Sequence, residues 1–253
     1  MHKTEDKHIF AVYVADLFTK QKIMVGDSVP ITDEDVVHRI LTVLRMEIGQ
    51  ELMLFDEKHH YLVVIADTKK NKALRIEIDT IFPNTQPKLE INFVLPLLKK
   101  EALEEVIYSL TEIGVTSISL VITSKSQKQL TDKELIRLQK MKVAAAEQSK
   151  NYTMPIINKP IAFERFCTEF GKNATPAVLF EPSGNSALEL ISELKQKKIK
   201  KIACLIGPEA GLTTLEIELA TQIGFKPCKL TGTVLRAVQA AAVGAGLIAS
   251  LLT

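Results

Sequence analysis

The stretch that most restricts the fold is Lys200-Lys201-Ile202-Ala203-Cys204-Leu205-Ile206-Gly207-Pro208-Glu209-Ala210-Gly211, followed by Leu212-Thr213-Thr214-Leu215-Glu216. The apolar run Ile202 to Ile206 is short and ends at Gly-Pro, which reads as a buried strand rather than a helix. Gly207, Pro208 and Gly211 then impose a tight loop with exposed backbone. Thr213 and Glu216 have capping-box spacing, and Ile217, Leu219 and Ala220 continue at helical spacing. A strand, a side-chain-poor loop and a helix start form either an ordinary βα connection or a place where a ligand touches peptide groups directly.

The same alternation fills the chain from Leu89 onward. Strands are expected at Leu89–Leu95, Ser117–Ile122, Ala177–Phe180, Ile202–Ile206 and Pro227–Leu230. Helices are expected at Glu101–Ile113 (stopped by Gly114), Thr131–Ser149 (Thr131 and Glu134 as a capping box), Ala162–Phe170, Ala187–Lys198, Thr213 to Gly224 and Val234–Leu252. Strands interleaved with helices imply a parallel sheet covered on both faces.

Between His8 and Phe82 the rhythm is different. Ile9–Val14, Glu51–Phe55, Tyr61–Ala66 and Ala73–Ile81 read as short strands, interrupted by one helix capped at Asp33 or Asp35, carrying Val37, Ile40, Leu41 and Leu44 and ending at Gly49. A small barrel-like β domain fits this pattern. Phe82-Pro83-Asn84-Thr85-Gln86-Pro87 is the linker, so the domains are expected at 1–83 and 84–253.

Composition excludes several classes. With 253 residues, 46% apolar and 25% charged, the chain can bury a real core. A net charge of +2, from 32 basic and 30 acidic residues, leaves room for local basic patches but not a polycation. Cys167, Cys204 and Cys228 are widely spaced and odd in number, as expected of reduced core residues in a cytosolic protein. His59-His60 has no downstream partner at metal-ligand spacing and reads as solvated loop histidines, so no metal is expected. Met1–Lys7 is charged with no apolar segment behind it, and Ala237–Leu252 falls short of the ~20 residues of a membrane span. No membrane association is expected.

Three strand ends share one character: Leu179-Phe180-Glu181-Pro182, Leu205-Ile206-Gly207-Pro208-Glu209, and Leu230-Thr231-Gly232-Thr233-Val234-Leu235-Arg236. Ligands of open α/β sheets bind at such carboxyl ends. No G-x-x-x-x-G-K-[ST] phosphate cradle is present. Gly244-Ala245-Gly246-Leu247-Ile248-Ala249 mimics a dinucleotide fingerprint but lies inside a helix, where a Gly/Ala face for close packing is the better reading. A ligand here would be held by backbone and apolar contacts, as suits an uncharged aromatic group such as adenine.

These residues resemble the RsmE family, ribosomal RNA uracil-N3 methyltransferases of the SPOUT superfamily. The matching stretches are Thr111-Glu112-Ile113-Gly114-Val115 (E-L-G-V), Glu147-Gln148 within Ala146–Ser149 (A-x-E-Q), Ile206–Gly211 (I-G-P-E-G-G) and Val234-Leu235-Arg236 (I-L-R-T-E-T-A). In the first half, His38, Val43-Leu44-Arg45, Gly49 and Leu54-Phe55-Asp56 are similar to the family's N-terminal domain. The resemblance implies a PUA-like β-barrel followed by a SPOUT α/β domain with a C-terminal trefoil knot, working as a cytoplasmic homodimer on the 16S rRNA of the 30S subunit.

It also implies S-adenosylmethionine bound by Leu179, Phe180, Glu181, Leu205, Ile206, Gly207, Pro208, Glu209, Gly211, Leu230, Thr231, Val234 and Leu235. Arg236 is the expected catalytic cation, steadying the developing uracil anion; otherwise it is a helix-end arginine. Glu209 is either an acceptor for ligand or loop groups or a carboxylate near a helix start. Arg39, Arg45, Lys125 and Lys150 are the candidates for RNA phosphates, with Lys69-Lys70-Lys72, Lys99-Lys100 and Lys128 behind them. The run Lys195–Lys201 reads as a solvated face. Sparse aromatics and the absence of Trp leave no stacking platform evident.

Departures from the family pattern are specific. T-E-T-A reads Ala237-Val238-Gln239-Ala240, Thr231 replaces a glycine, and Ala210 replaces another. Asn151 and Ser109 stand where an arginine and a lysine are expected. The lost hydroxyl and carboxylate keep two alternatives open: a non-catalytic RNA-binding or ribosome assembly factor, and a methyltransferase with another RNA target.

Overall fold

In the computed structural model, residues 9–15, 23–69, 73–172 and 175–250 are described. The chain forms two compact units, one of residues 1–85 with 146–153, the other of 86–145 with 154–253.

The first unit holds β1 (Ala11–Tyr13), β2 (Ser28–Ile31), α1 (Glu34–His38), β3 (Glu51–Phe55), β4 (His59–Lys69) and β5 (Ala73–Pro83). Its sheet runs β1-β3-β4-β5-β2, antiparallel except for the parallel β1/β3 pair. Alternation in β5 buries Leu74, Ile76 and Ile78 in one core with Leu52 and Leu54 of β3 and Val63 and Ile65 of β4. β2 is absent from the sequence reading because Pro30 argues against a central strand. It sits at the sheet edge, where a missing N–H costs nothing.

The helix starts at the expected cap, with the Asp33 carboxylate accepting the Val36 N–H at 3.0 Å. It does not run to Gly49. After five residues it widens into a π-type turn at Arg39–Val43, and Arg45 takes a left-handed φ of 54°. The histidine pair is likewise not in a loop. His60 lies on β4, stacked between Tyr152 (4.2 Å) and Phe82 (5.0 Å), with Nδ1 2.9 Å from the Asn84 side-chain oxygen.

The second unit is an α/β fold. Its strands β6 (Glu90–Pro96), β7 (Ser117–Ile122), β8 (Ile156–Ala162), β9 (Ala177–Ser186), β10 (Lys201–Ile206) and β11 (Phe225–Lys229) form an all-parallel sheet in the order β11-β9-β10-β6-β7-β8. The helices are α2 (Lys100–Ile113), α3 (Asp132–Ser149, whose last turn belongs to the first unit), α4 (Phe163–Phe170), α5 (Ala187–Gln196), α6 (Thr214–Gln222) and α7 (Ala237–Ala249). β8 was not expected: its Pro160 again marks an edge strand, beside a register shift against β7.

Alternate side chains of the central strands feed two cores. Phe93, Leu95, Val178, Phe180, Ile202, Cys204 and Ile206 pack with α2 and α7. Val94, Leu179, Ala203 and Leu205 pack on the other face with Phe163, Phe166, Phe170 of α4 and Ala220 of α6. Each fully buried large apolar side chain contributes roughly 1.5–3 kcal/mol, so this double burial fixes the register of β10 and aims its carboxyl end. The three cysteines are all buried, and burial raises the Cys167 thiol pKa to about 12. Among the described residues no helix is long and apolar enough to cross a membrane.

Candidate functional site

The middle of β9 and the loops after β10 and β11 converge on one cavity of about 590 Å³, within the range typical of small-molecule sites. Ile206, the last residue of β10, is paired in register with Phe180 of the adjacent β9. Beyond them the wall consists of Glu181, Pro182, Gly207, Pro208, Glu209 and Gly211, with Leu230, Thr231, Thr233, Val234, Leu235 and Arg236 opposite.

β9 forms its part of the wall by bulging out of its ladder with β11. Leu179 pairs with Pro227, but the next pair on β11 is Cys228 with Asn185, so Phe180–Gly184 is displaced from the β11 pairing. Gly184 permits the return: a Cβ there would collide with the backbone of Pro227 and Cys228.

The loop after β10 turns on the Gly211 N–H, which donates to the Pro208 carbonyl at 2.8 Å while Gly211 sits at φ 70°. A Cβ on Gly207 would lie 3.1 Å from Leu212 N and 3.3 Å from Gly211 Cα. Thr213 then caps α6: its N–H donates to Glu216 Oε2 at 2.8 Å and its hydroxyl accepts from Glu216 N at 3.3 Å. Burial disfavours the Glu216 carboxylate, but the N–H groups of Thr213 and Ser124 and the Thr213 hydroxyl together hold its pKa below the ordinary value.

Glu209 proves to be an acceptor for a loop group: its Oε1 takes the Lys99 backbone N–H at 3.0 Å. Arg236 is the N-cap residue of α7, is exposed, and donates through Nε to Gln239 Oε1 at 2.9 Å. The Thr231 hydroxyl donates to the Thr233 carbonyl at 2.7 Å, within its own loop.

Two expected residues stand apart from this wall. Leu179 and Leu205 are fully buried on the opposite face of the sheet, in the core with α4 and α6, because strand alternation points them away from Phe180 and Ile206. The sequence reading also omitted Lys99, Glu101, Ala102 and Glu105, which line the cavity from the start of α2. The signal was available, since β6 leading into α2 is another strand end of the same parallel sheet.

Arg39 is paired with the buried carboxylate of Glu147. Arg45 and Lys150 are exposed at left-handed positions, φ 54° and 56°. In the second unit, Lys99 lines the cavity and Lys125 Nζ donates to the Ala210 carbonyl at 3.2 Å. Lys197 and Lys201 make exposed ion pairs with Glu193 and Glu90. Lys70 and Lys72 lie outside the described residues.

A family model for an RNA methyltransferase domain matches residues 85–249. Ribosomal RNA small subunit methyltransferase E of Synechocystis sp. is 30% identical over 218 residues, covering 85% of this chain and 71% of that protein. Its counterpart in Rickettsia conorii is 28% identical over 227 residues, covering 89% and 91%. The fold is shared with ribosomal RNA small subunit methyltransferase E from Neisseria gonorrhoeae, solved bound to S-adenosyl methionine: TM-score 0.82, 21% identity, 96% of this chain and 98% of the other. A parallel sheet whose glycine-bearing strand ends enclose one cavity thus agrees with sequence likeness across most of the chain, and the chain belongs to the RNA methyltransferase family of ribosomal RNA small subunit methyltransferase E.

Proposed function

We propose that the chain transfers the methyl group of S-adenosylmethionine to N3 of a specific uridine in 16S rRNA. The observation that carries this reading is the convergence of the bulged stretch of β9 and the loops after β10 and β11 on one cavity, with Arg236 in its wall. The residues present suit the donor. The floor at Phe180, Ile206 and Val238 is apolar, as an adenine ring requires, and Gly207 and Gly211 leave peptide groups uncovered. Carboxylates at Glu101, Glu105, Glu181 and Glu209 favour a ligand bearing sulfonium and ammonium charge.

Bound there, S-adenosylmethionine would supply an electrophilic methyl group, its S–CH3 bond breaking to leave S-adenosylhomocysteine as the bond to N3 forms and the N3 proton passes to solvent. The chain's part is positioning and electrostatics. Peptide groups of Gly207–Gly211 and the segments Phe180–Glu181 and Leu230–Leu235 hold the donor, excluding water and fixing the direction of approach. The Arg236 guanidinium, turned by Gln239, stabilises the negative charge that develops on the uracil as its proton leaves.

In this reading residues 1–83 are a PUA-like β-barrel that binds RNA, and residues 84–253 are a SPOUT domain with a C-terminal trefoil knot. The protein works in the cytoplasm as a homodimer on the small ribosomal subunit. Arg45, Lys125 and Lys150 contribute phosphate contacts. Two measurements test it: calorimetry with S-adenosylmethionine should give saturable heat, and rRNA from a deletion strain should lack one N3-methyluridine that the cloned gene restores. Wild-type modification in the deletion strain would exclude this substrate.

A further inference from the structure

Next to the donor cavity lies a second, polar hollow of about 480 Å³, sharing Lys99 and Glu209 with it. We infer that this hollow, lined by Lys99, Lys125 and Lys128, grips a phosphodiester of the acceptor RNA strand beside the base that enters the donor cavity. The inference rests on the methyl-transfer reading above and assigns a place to the acceptor strand.

The hollow is built from three βα loops joined to one another. Glu209 of the β10–α6 loop accepts the Lys99 N–H of the β6–α2 loop at 3.0 Å. Lys125 of the β7–α3 loop donates to the Ala210 carbonyl at 3.2 Å, and the Ser124 N–H donates to Glu216 Oε1 at 2.7 Å. Lys128 Nζ closes its own loop, reaching the Thr123 and Ser124 carbonyls at 2.7 Å each.

Charge and chemistry select the occupant. The Lys125 and Lys128 ammonium groups are bonded to neutral carbonyls, so their positive charge stays uncompensated by these contacts, and each ammonium has three donors. Glu209 is the one carboxylate lining the hollow, and it is engaged by a peptide N–H. Lys99 is the N-cap of the 14-residue α2, so the positive end of that helix adds to the field. No aromatic ring lines the hollow, whose remaining wall is Ser126, Gln127, Gln129 and Ala210. Cations and hydrogen-bonding groups without a stacking surface fit phosphate and ribose rather than a base. The Lys125–Ala210 and Lys99–Glu209 bonds also tie this hollow to the donor loop, so the strand and the donor are held by one structure.

The test uses the full chain and small ribosomal subunits from the deletion strain, with binding measured across about 50 to 200 mM salt. Lys125→Gln should weaken binding several-fold and reduce the slope of log K against log salt by about 0.7–0.9, the loss of one phosphate contact. Lys125→Arg should retain both the slope and the calorimetric affinity for S-adenosylmethionine. Lys99→Gln combined with Lys125→Gln should lower the slope by about twice as much. A purely structural role for Lys125 would alter stability and leave the slope alone. Wild-type slope and affinity in Lys125→Gln would overturn the inference. Absence of donor heat from the wild-type protein would instead overturn the methyl-transfer reading, while the salt slope still reports on the hollow.

Discussion

Gly244 of α7 abuts the ring of Phe180, so that a Cβ at Gly244 would fall inside the van der Waals envelope of the ring edge. Phe180 is 6% exposed and lines the cavity. Helix α7 and the cavity-lining stretch of β9 are therefore fitted together by a missing methyl group.

This relationship reverses an ordinary rule. Replacing a mid-helix glycine by alanine usually stabilises by about 0.5–1 kcal/mol. That result is expected at Gly246, where a Cβ meets nothing within 4 Å, and corresponds to a Tm rise of about 1–4 °C. At Gly244 the ring must move, so Gly244→Ala should lower Tm and weaken S-adenosylmethionine binding. Thermal melts and calorimetry on the two variants check the contrast; a rise in Tm at both positions would show that Phe180 has room to shift.

Gly207→Val should abolish donor binding, for a reason the structure refines. The added side chain meets the loop's own backbone at Leu212 and Gly211 and pushes the turn open from within. Gly211→Ala should act more mildly, through strain of about 1–3 kcal/mol at its φ of 70°. Calorimetry with circular dichroism as the folding control decides this; full affinity in Gly207→Val would move the donor elsewhere.

Arg236→Ala should cut turnover by about 10²-fold or more while leaving donor affinity within a few-fold, because its charge acts on the developing anion rather than on the donor. Gln239→Ala frees the guanidinium without removing it and should cost less. Single-turnover methylation of small subunits, with S-adenosylmethionine titrated in parallel, separates the two effects. Equal losses in affinity and rate would make Arg236 a donor-binding residue.

What could be read in the sequence followed from how local its physics is. The strand Ile202–Ile206, the Gly-Pro turn and the Thr213/Glu216 cap all act within a few residues, and each has its expected form. β2 and β8 were hidden because Pro30 and Pro160 mark edge strands, whose pairing is decided by neighbours far along the chain. Leu179 and Leu205 were assigned to the ligand because they adjoin Phe180 and Ile206, although the two-residue period of a strand sends them to the other core. The stacked rings of Phe82, His60 and Tyr152 were invisible for a similar reason: β4, β5 and the segment after α3 bring together aromatics that are sparse in sequence. The partners of Glu209 and Arg39 depend on contacts more than 100 residues apart, which no spacing rule records.

Arg39 illustrates the last point and gives the final prediction. Its guanidinium is paired with Glu147, whose other oxygen accepts the Tyr13 N–H at 2.9 Å. Burial pushes the Glu147 carboxyl above its ordinary pKa, against the opposing pull of the Tyr13 N–H and Arg39. A raised value means that the folded protein holds this proton more tightly than the unfolded chain does. The stabilisation from Glu147 is thus complete below an unfolded pKa of about 4.3 and is lost as pH rises through the folded value. Glu147→Gln should remove that component, so urea unfolding from pH 4 to pH 8 should decline less steeply in the variant than in the wild type. Arg39→Ala leaves a buried carboxylate without its cation and should destabilise by about 1–3 kcal/mol at neutral pH, a figure reduced from the fully buried case because the Arg39 side chain is 41% exposed. Parallel pH profiles for wild type and Glu147→Gln would remove the titration from the account. An Arg39→Ala protein that unfolds like wild type but loses RNA affinity would return this arginine to the RNA face where its charge first placed it.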